Sequence, residues 1–295
     1  MGSRHLPAVL PPLVLAAALL FTFASVAGRA ETAPQPLIFT TIDHPDAAGS
    51  SGTVAGDINN QGAIVGYYRA ANGTSHGFLL TTSGFTSIDY PGAIDTFVFG
   101  INASGDIAGT YGNPYGFDDH GFLLSSGTFT SVDFPGSVVT EAGRINNKGE
   151  IVGLAITGPD LHGYLLSDGV FTHIGYPGAT QTVAQDITNA GKVLVRYFVA
   201  NVGHGALLHK GVFTALPDFP GADSTEPFGI NDAGTIVGRY TIAGAEHGFV
   251  LRKGEFTTID VPGAVGTTLL GINARGQIVG FYTDADGVGH GFFAE

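Results

Sequence analysis

A His-Gly dipeptide recurs along this chain at intervals close to 43 residues. It begins at His76, His120, His162, His204, His247 and His290, with spacings of 44, 42, 42, 43 and 43 residues. A unit of this length cannot bury a hydrophobic core alone. Six copies in series therefore predict a repeat architecture in which each unit packs against its neighbours.

The second unit shows the pattern of strands most clearly. Short segments rich in β-branched and aromatic residues cover 96–102, 106–111, 120–124 and 129–133. The first two are joined by Asn102-Ala103-Ser104-Gly105, a turn sequence with Gly where a left-handed conformation is needed. Tyr90-Pro91-Gly92 suits a type II turn into the unit. Since no segment has useful helical periodicity, each unit is predicted to be four antiparallel strands.

The two chain ends complement each other. Residues 37–43 match the fourth strand of a unit but have no third strand before them, whereas the last unit stops after its third strand, Gly291-Phe292-Phe293. The sequence therefore predicts an all-β fold over residues 37–295, a six-bladed β-propeller with four-stranded blades. We expect the N-terminal strand to complete the last blade and close the ring.

The first thirty residues have the order of a secretory signal peptide. Arg4 precedes an apolar run from about Leu10 to Phe23, and small residues follow, with Val26-Ala27 and Arg29-Ala30 near possible cleavage points. The alternative is an uncleaved membrane anchor, because the run is nearly long enough to span a bilayer. We predict a signal peptide over 1–30, a short lead-in over 31–36, and a secreted or periplasmic protein without membrane contact after cleavage.

Charge excludes one class of partner. Cleavage after Ala30 leaves 10 basic residues against 25 acidic ones, a net charge of −15. Such a surface repels a phosphate backbone, so we expect no nucleic-acid partner. The chain has no cysteine, which excludes disulfides and thiolate chemistry. We expect a monomer whose core alone holds it together.

The units G-I-N-x-x-G-x-I-V-G-x-Y and H-G-F-L-L resemble the extracellular repeats of the HAF family, named after a His-Ala-Phe signature. The resemblance covers nearly all of residues 39–295 and implies an exported bacterial propeller-like protein, but it implies little about activity. This chain has Gly where the signature has Ala, and the fourth copy, His204-Gly205-Ala206, also lacks the Phe. The stretch around that copy departs elsewhere too, with Gly175 for Asp, Thr188 for Asn and Val195 for Gly.

The six repeated histidines suggest a metal site, but geometry argues against a shared one. Each lies on the third strand of its blade, about 10 Å outward from the innermost strand, so six imidazoles cannot converge on one ion. A hairpin centred on an x-Gly turn instead places each His opposite an Asp. We predict structural pairs and neither a metal site nor a cofactor; the pairs are His76–Asp89, His120–Asp133, His247–Asp260 and His290–Asp43.

One short segment resembles the start of a calcium loop. Asp284-Ala285-Asp286-Gly287 has the acidic spacing, but the bidentate acid expected later is missing. The equivalent stretch of the first unit is an ordinary turn, so both interpretations stay open.

Loop length varies on one face of the predicted disc, where the second strand leads to the third and the fourth to the next blade. The longest loop follows the second strand of the second unit, and its candidate binding residues are Asn113, Tyr115, Phe117, Asp118 and Asp119. Aromatic faces beside acids suit sugars or peptides. The alternative is that Tyr115 and Phe117 only pack the loop against the blade.

Two functions remain open at this point. The first is an exported, non-enzymatic binding or scaffolding propeller whose ligand is a glycan or a protein. The second is a polysaccharide- or peptide-acting lyase or hydrolase with acids and a His at the mouth of the central channel. No catalytic motif singles out residues for the second, and an enzyme would need one unrepeated cluster of perturbed acid and base groups.

Overall fold

The computed structural model describes residues 37–49, 52–112 and 118–295. These residues form six four-stranded antiparallel sheets in a six-bladed β-propeller, which confirms the predicted fold. The predicted signal peptide and lead-in, residues 1–36, lie outside the described residues. No helix capable of spanning a bilayer occurs in the part of the chain that the structure describes.

The blades follow one another along the chain, each ordered from its inner to its outer strand. Blade 1 consists of β2 (Thr53–Ile58), β3 (Ile64–Arg69), β4 (Ser75–Thr81) and β5 (Gly84–Ile88). Blade 2 consists of β6 (Asp95–Ile101), β7 (Ile107–Gly112), β8 (His120–Ser125) and β9 (Thr128–Val132). Blade 3 consists of β10 (Val139–Ile145), β11 (Ile151–Thr157), β12 (Asp160–Ser167) and β13 (Val170–Ile174).

The second half repeats the same order. Blade 4 consists of β14 (Gln181–Ile187), β15 (Val193–Val199), β16 (Val202–His209) and β17 (Val212–Ala215). Blade 5 consists of β18 (Ser224–Ile230), β19 (Ile236–Ile242), β20 (Ala245–Arg252) and β21 (Glu255–Ile259). Blade 6 consists of β22 (Gly266–Ile272), β23 (Ile278–Thr283), β24 (Gly289–Ala294) and β1 (Phe39–Ile42).

The N-terminal strand closes the ring as predicted. β1 pairs antiparallel with β24, with Thr40 opposite Phe293. Ile38 and Glu295 exchange backbone hydrogen bonds of 2.8 and 3.2 Å just beyond the paired residues. The first and last strands of the propeller therefore share one blade.

Five of the six blades pack an aromatic side chain of the third strand over a Gly of the second. In blade 2 the buried Phe122 lies opposite Gly109, where an added Cβ would come within 2.6 Å of the phenyl ring. Blade 4 reverses the sizes, because Val195 lies opposite Ala206. The two departures of the fourth copy from the repeat are therefore complementary.

A ring of side-chain amides ties the innermost strands together. The Asn that ends each first strand donates from Nδ2 to the backbone carbonyl of its counterpart in the next blade, at 3.1 to 3.3 Å. The bonds run from Asn59, Asn102, Asn146, Asn231 and Asn273. Thr188 occupies the sixth position and has no amide to donate, so one link is missing there.

Candidate functional site

The innermost strands line the central channel, and a register shift near the end of each of them marks a β-bulge. Each inner strand ends in an Ile that recurs in every unit, and the residue directly before this Ile follows the bulge. Its identity differs among blades: Asp57, Gly100, Arg144, Asp186, Gly229 and Gly271. The scaffold repeats here, but the chemistry does not.

Arg144 lies across the channel. From blade 3 its guanidinium donates to the backbone carbonyls of Phe99 in blade 2, Gly56 in blade 1 and Leu270 in blade 6, the last two at 2.9 Å. Arg144 is only 7% exposed, and among the described residues its Nε has no hydrogen-bond partner. Arg144 thus divides the channel into two spaces. One opens at the Asn ring, and the other, which we call the upper cavity, lies on the opposite side of the guanidinium.

Two half-buried carboxylates accompany this arginine. Asp186 accepts backbone hydrogen bonds of 2.7 Å from Ile187 and Ile230, and Asp57 makes the same bridge to Ile101. Burial raises the pKa of Asp186 to about 7, although the charge of Arg144 works in the opposite direction. The carboxylates also link adjacent blades, because Asp57 and Asp186 each bond to a strand of the next one.

The upper cavity has a volume of about 230 Å³. One side of its wall is aromatic and apolar, and the other carries charged and amide groups. The side chains that define it include Tyr67, Phe99, Glu141, Arg196, Phe228 and Phe281. The charged and amide groups come from blades 3 and 4, whereas blades 1, 2, 5 and 6 supply aromatic and apolar residues.

A charged network holds Arg196, which lines the polar side of the cavity. Glu226 receives Arg196 at 2.5 Å on one carboxylate oxygen and Arg239 at 3.2 Å on the other. Both guanidinium groups lie over the ring of Phe228, at 5.1 and 5.7 Å from its centroid. Arg239 also pairs with Glu246 at 3.0 Å. These four charges balance one another, so the guanidinium of Arg196 is fixed by its partners and is not a free cationic site.

Glu141, the acidic residue that lines the cavity, differs from Glu226 of the charged network. Its carboxylate makes no hydrogen bond or ion pair with any described residue, whereas Glu226 is bound at both oxygens. Burial raises the pKa of Glu141 to about 7, and the charge of Asp119 adds to the effect while that of Arg196 opposes it. Glu141 is therefore a charged group of this wall that is available to a ligand.

The predicted His–Asp pairs all meet. The Nδ1 atoms lie 2.8 to 3.0 Å from the Asp carboxylates in His76–Asp89, His120–Asp133, His247–Asp260 and His290–Asp43. A further pair, His204–Asp218, forms at 3.0 Å despite one extra residue in between. The pairs are half-exposed rather than buried, since 40% of the His120 side chain and 44% of the Asp133 side chain are accessible.

The predicted binding loop is only partly described. Asn113, Tyr115 and Phe117 lie outside the described residues. Asp118 is exposed and approaches Nε2 of His120 at 3.5 Å. The Asp119 backbone carbonyl accepts from Thr140 at 2.8 Å, and partial burial followed by the nearby Asp95 raises its carboxyl pKa. Asp119 also acts electrostatically on Glu141, which relates the base of this loop to the cavity.

The segment resembling a calcium loop is a self-contained turn. Oδ1 of Asp284 accepts the backbone N–H groups of Asp286 and Val288, and Oδ2 lies 3.3 Å from Nε2 of His290. Both oxygens of Asp284 are thus engaged by the protein.

The cavity residues escaped sequence reasoning because they occupy equivalent positions with different side chains. The signal was present: Arg144 replaces Asp or Gly directly before the repeated Ile, and Glu141 and Glu226 replace Val, Phe or Thr three residues earlier. Comparing the repeats with each other at inner-strand positions, rather than at loops alone, would have found them. The hypothesis of a channel-mouth enzyme included a His, but no histidine lines this cavity within residues 37–49, 52–112 and 118–295.

No family model matches the chain, and no curated protein matches it. Solved structures do. Virginiamycin B lyase from Staphylococcus aureus superposes with a TM-score of 0.51 at 12% identity, covering 87% of this chain and 88% of the lyase. The Aleuria aurantia lectin in complex with Fucα1-6GlcNAc superposes with a TM-score of 0.55 at 10% identity, covering 84% and 93%.

A third similar structure is TolB from Acinetobacter baumannii, with a TM-score of 0.58 at 13% identity. It covers 78% of this chain, which spans 63% of that protein. An enzyme, a lectin and TolB thus share the propeller fold with this chain. At these identities the likeness concerns the fold alone.

Proposed function

We propose that this protein is an exported binding propeller that takes the end of a glycan chain into the upper cavity of its central channel. One observation carries the proposal: Glu141 has no partner in the described protein and stands opposite an aromatic wall. An ionised carboxylate accepts hydrogen bonds from neighbouring sugar hydroxyls, while the apolar faces of Tyr67, Phe99 and Phe281 can contact the C–H faces of a sugar ring.

The enclosed shape of the cavity favours the end of a chain as the ligand rather than the broad surface of a protein. Arg144 forms its floor, held by backbone carbonyls of three other blades. Arg196 and Arg239 are held by Glu226 and by Phe228, so the wall is pre-organised. A peptide side chain is the competing occupant and is an outcome of the test.

The test is a glycan and peptide array probed with wild type, Glu141→Gln and Glu255→Gln. Glu255 is an exposed acid at the start of β21, outside the cavity, and serves as a matched control. We expect Glu141→Gln to lose at least about tenfold in glycan affinity, the loss of one charge-assisted hydrogen bond, while the control binds as wild type. Binding only to peptides, or equal binding by wild type and Glu141→Gln, would overturn the proposal.

A catalytic role is the second candidate, and the raised pKa of Glu141 favours it. A carboxyl that titrates near pH 7 suits general acid–base chemistry at the pH where most enzymes work. The assay is product release from a panel of polysaccharides and peptides, with Glu141→Gln expected to abolish any turnover. Turnover that survives this change would place the chemistry elsewhere.

The extracytoplasmic location and the assignment to HAF-type repeats remain proposals of the same kind. The signal-like segment and the repeated H-G-F-L-L units support them. Cell fractionation with N-terminal sequencing tests the location, and a cytosolic protein with an intact Met1 would contradict it.

A further inference from the structure

The His–Asp ladder fails in one blade. His162 of blade 3 occupies the repeated position, but the residue opposite it across the β12–β13 hairpin is Gly175, as the pairing of Gly163 with Ile174 shows. Among the repeated histidines, His162 is also the buried one, with 3% of its surface accessible. The repeated His pairs with an Asp in the other blades, whereas His162 of blade 3 has no such partner and can bind another group.

Two further departures accompany the missing Asp. In the other five blades a Tyr of the second strand pairs with the His and stacks on it at 5.0 to 5.5 Å, but His162 is paired with Ala155. The position two residues before Gly175 carries His173, where the other blades carry Ser, Thr or Ala. A Cβ at residue 175 would lie 2.9 Å from Cε1 of His173. An Asp there would displace this imidazole, so the loss of the Asp and the placement of His173 are coupled.

These changes bring three metal-binding side chains together. One ligand atom each from Asp160, His162 and His173 lies within 4.8 Å of the other two. Nε2 of His173 is 3.6 Å from Oδ2 of Asp160, and the two imidazole centroids are 4.3 Å apart. We propose that Asp160, His162 and His173 bind a divalent transition-metal ion of the zinc class.

The orientation of His162 supports this assignment. Its Nδ1 lies 3.1 Å from the backbone carbonyl of Gly163, which can only accept. The proton therefore resides on Nδ1 and the lone pair on Nε2, which lies 3.3 Å from the Thr157 hydroxyl. A metal ion would replace this hydroxyl as the partner of Nε2. Metal-bound histidines commonly donate their other N–H to a backbone carbonyl in this way, because it fixes both tautomer and ring.

The donor set selects the kind of ion. Two imidazoles and one carboxylate suit zinc and its neighbours, whereas calcium requires six to eight oxygens. Tetrahedral bonds of about 2.0–2.1 Å place ligand atoms roughly 3.3 Å apart. The side chains of His173 and Asp160 are 53% and 60% exposed, so both can rotate to close this distance around an ion. Three protein ligands leave a fourth position open to water or to a ligand group.

The test uses untagged protein stripped of metal with a chelator and titrated with zinc by calorimetry, then with cobalt by visible absorption. The variants are His173→Ser, which installs the residue of blade 2, and Asp160→Asn. His247→Gln in blade 5 is the control, because that His belongs to an ordinary His–Asp pair. We expect one zinc per chain in wild type and control, tetrahedral cobalt bands, and at least about a tenfold loss of affinity in both site variants.

Melting curves without metal show whether each variant is folded, and Asp160→Asn keeps the test decisive if His173→Ser unfolds. Zinc should raise the melting temperature of wild type and control only. Absence of binding at millimolar zinc, or equal zinc affinity in wild type and a folded site variant, would overturn the proposal.

Discussion

Nδ1 of His290 lies 3.0 Å from Oδ1 of Asp43, although 247 residues separate them in the chain. The same pair forms within single hairpins in other blades, so in blade 6 it connects the two ends of the propeller. Burial of His290 alone would lower its pKa, but the hydrogen bonds to Asp43 and Asp284 outweigh burial and raise it. A repeated interaction thus serves closure where the chain begins and ends.

Removal of the closing strand should destabilise the whole ring. Deletion of residues 31–43 removes β1 and leaves β24 as an unpaired edge, which we expect to lower the melting temperature and cause aggregation. Deletion of 31–36 is the control and should leave the melting curve unchanged. A protein without 31–43 that melts like the control would contradict the role of β1.

The fold could be predicted because it depends on what the repeats share. Turn glycines, the apolar alternation of each strand and the phase of the chain ends specify blade number and closure without any knowledge of side-chain contacts. The pairing of His120 with Asp133 was predictable for the same reason, since hairpin register follows from turn position.

The candidate sites could not be predicted in this way, because each depends on one blade departing from the others. Arg144 acquires its role only when carbonyls of three other blades converge on it, a relation that no local pattern encodes. His173 becomes a candidate ligand only through the simultaneous absence of a side chain at Gly175. The sequence indicated aromatic loop residues as candidate binding residues because the loop itself was unrepeated. The polar groups of the channel lie within strands whose overall pattern is the same in every blade.

The exposed His–Asp pairs should contribute little individually. A stabilising effect of 1–2 kcal/mol would need a buried pair, but His120 and Asp133 are both about half-exposed. We expect Asp133→Ala to lower the free energy of unfolding by about 0.2–1 kcal/mol, the range of solvent-exposed ion pairs. Urea denaturation measures this, and a loss well above that range would mean that the pair has a larger structural role.

The gap in the amide ring offers a stabilising substitution. Thr188→Asn supplies an Nδ2 group that can donate to the carbonyl of Asn231, as its counterparts do to their neighbours. One added hydrogen bond should raise the free energy of unfolding by about 0.5–1.5 kcal/mol. Asn102→Thr, which opens a second gap and also removes the bond from Nδ2 to Asp106, is the opposite control and should lower it by at least that amount. No gain from Thr188→Asn would show that the strand end cannot accommodate the amide.

The raised pKa of Glu141 predicts an unusual pH dependence. Its ordinary value is 4.5 and its folded value about 7, so between these the folded state binds more protons than the unfolded state. By linkage this group lowers stability as pH rises through that window. Glu141→Gln removes the effect, so its melting temperature minus that of wild type should increase from pH 5 to pH 8. Parallel curves for the two proteins would contradict the raised pKa.

Arg144 should be the residue on which the centre of the ring depends most. It satisfies backbone carbonyls of three blades and lowers the cost of ionising Asp186, which otherwise lies buried beside the charge of Asp57. Arg144→Met leaves these groups without a positive charge and should lower the free energy of unfolding by about 3 kcal/mol or more.

A double-mutant cycle tests the coupling of Arg144 to Asp186. In Arg144→Met/Asp186→Asn one uncompensated charge is gone, so the loss in free energy of unfolding should be smaller than the sum of the two single losses. Urea denaturation of all four proteins at pH 8, above the pKa of about 7 that Asp186 has beside Arg144, measures this coupling. Strictly additive losses would show that the arginine and the carboxylate act independently.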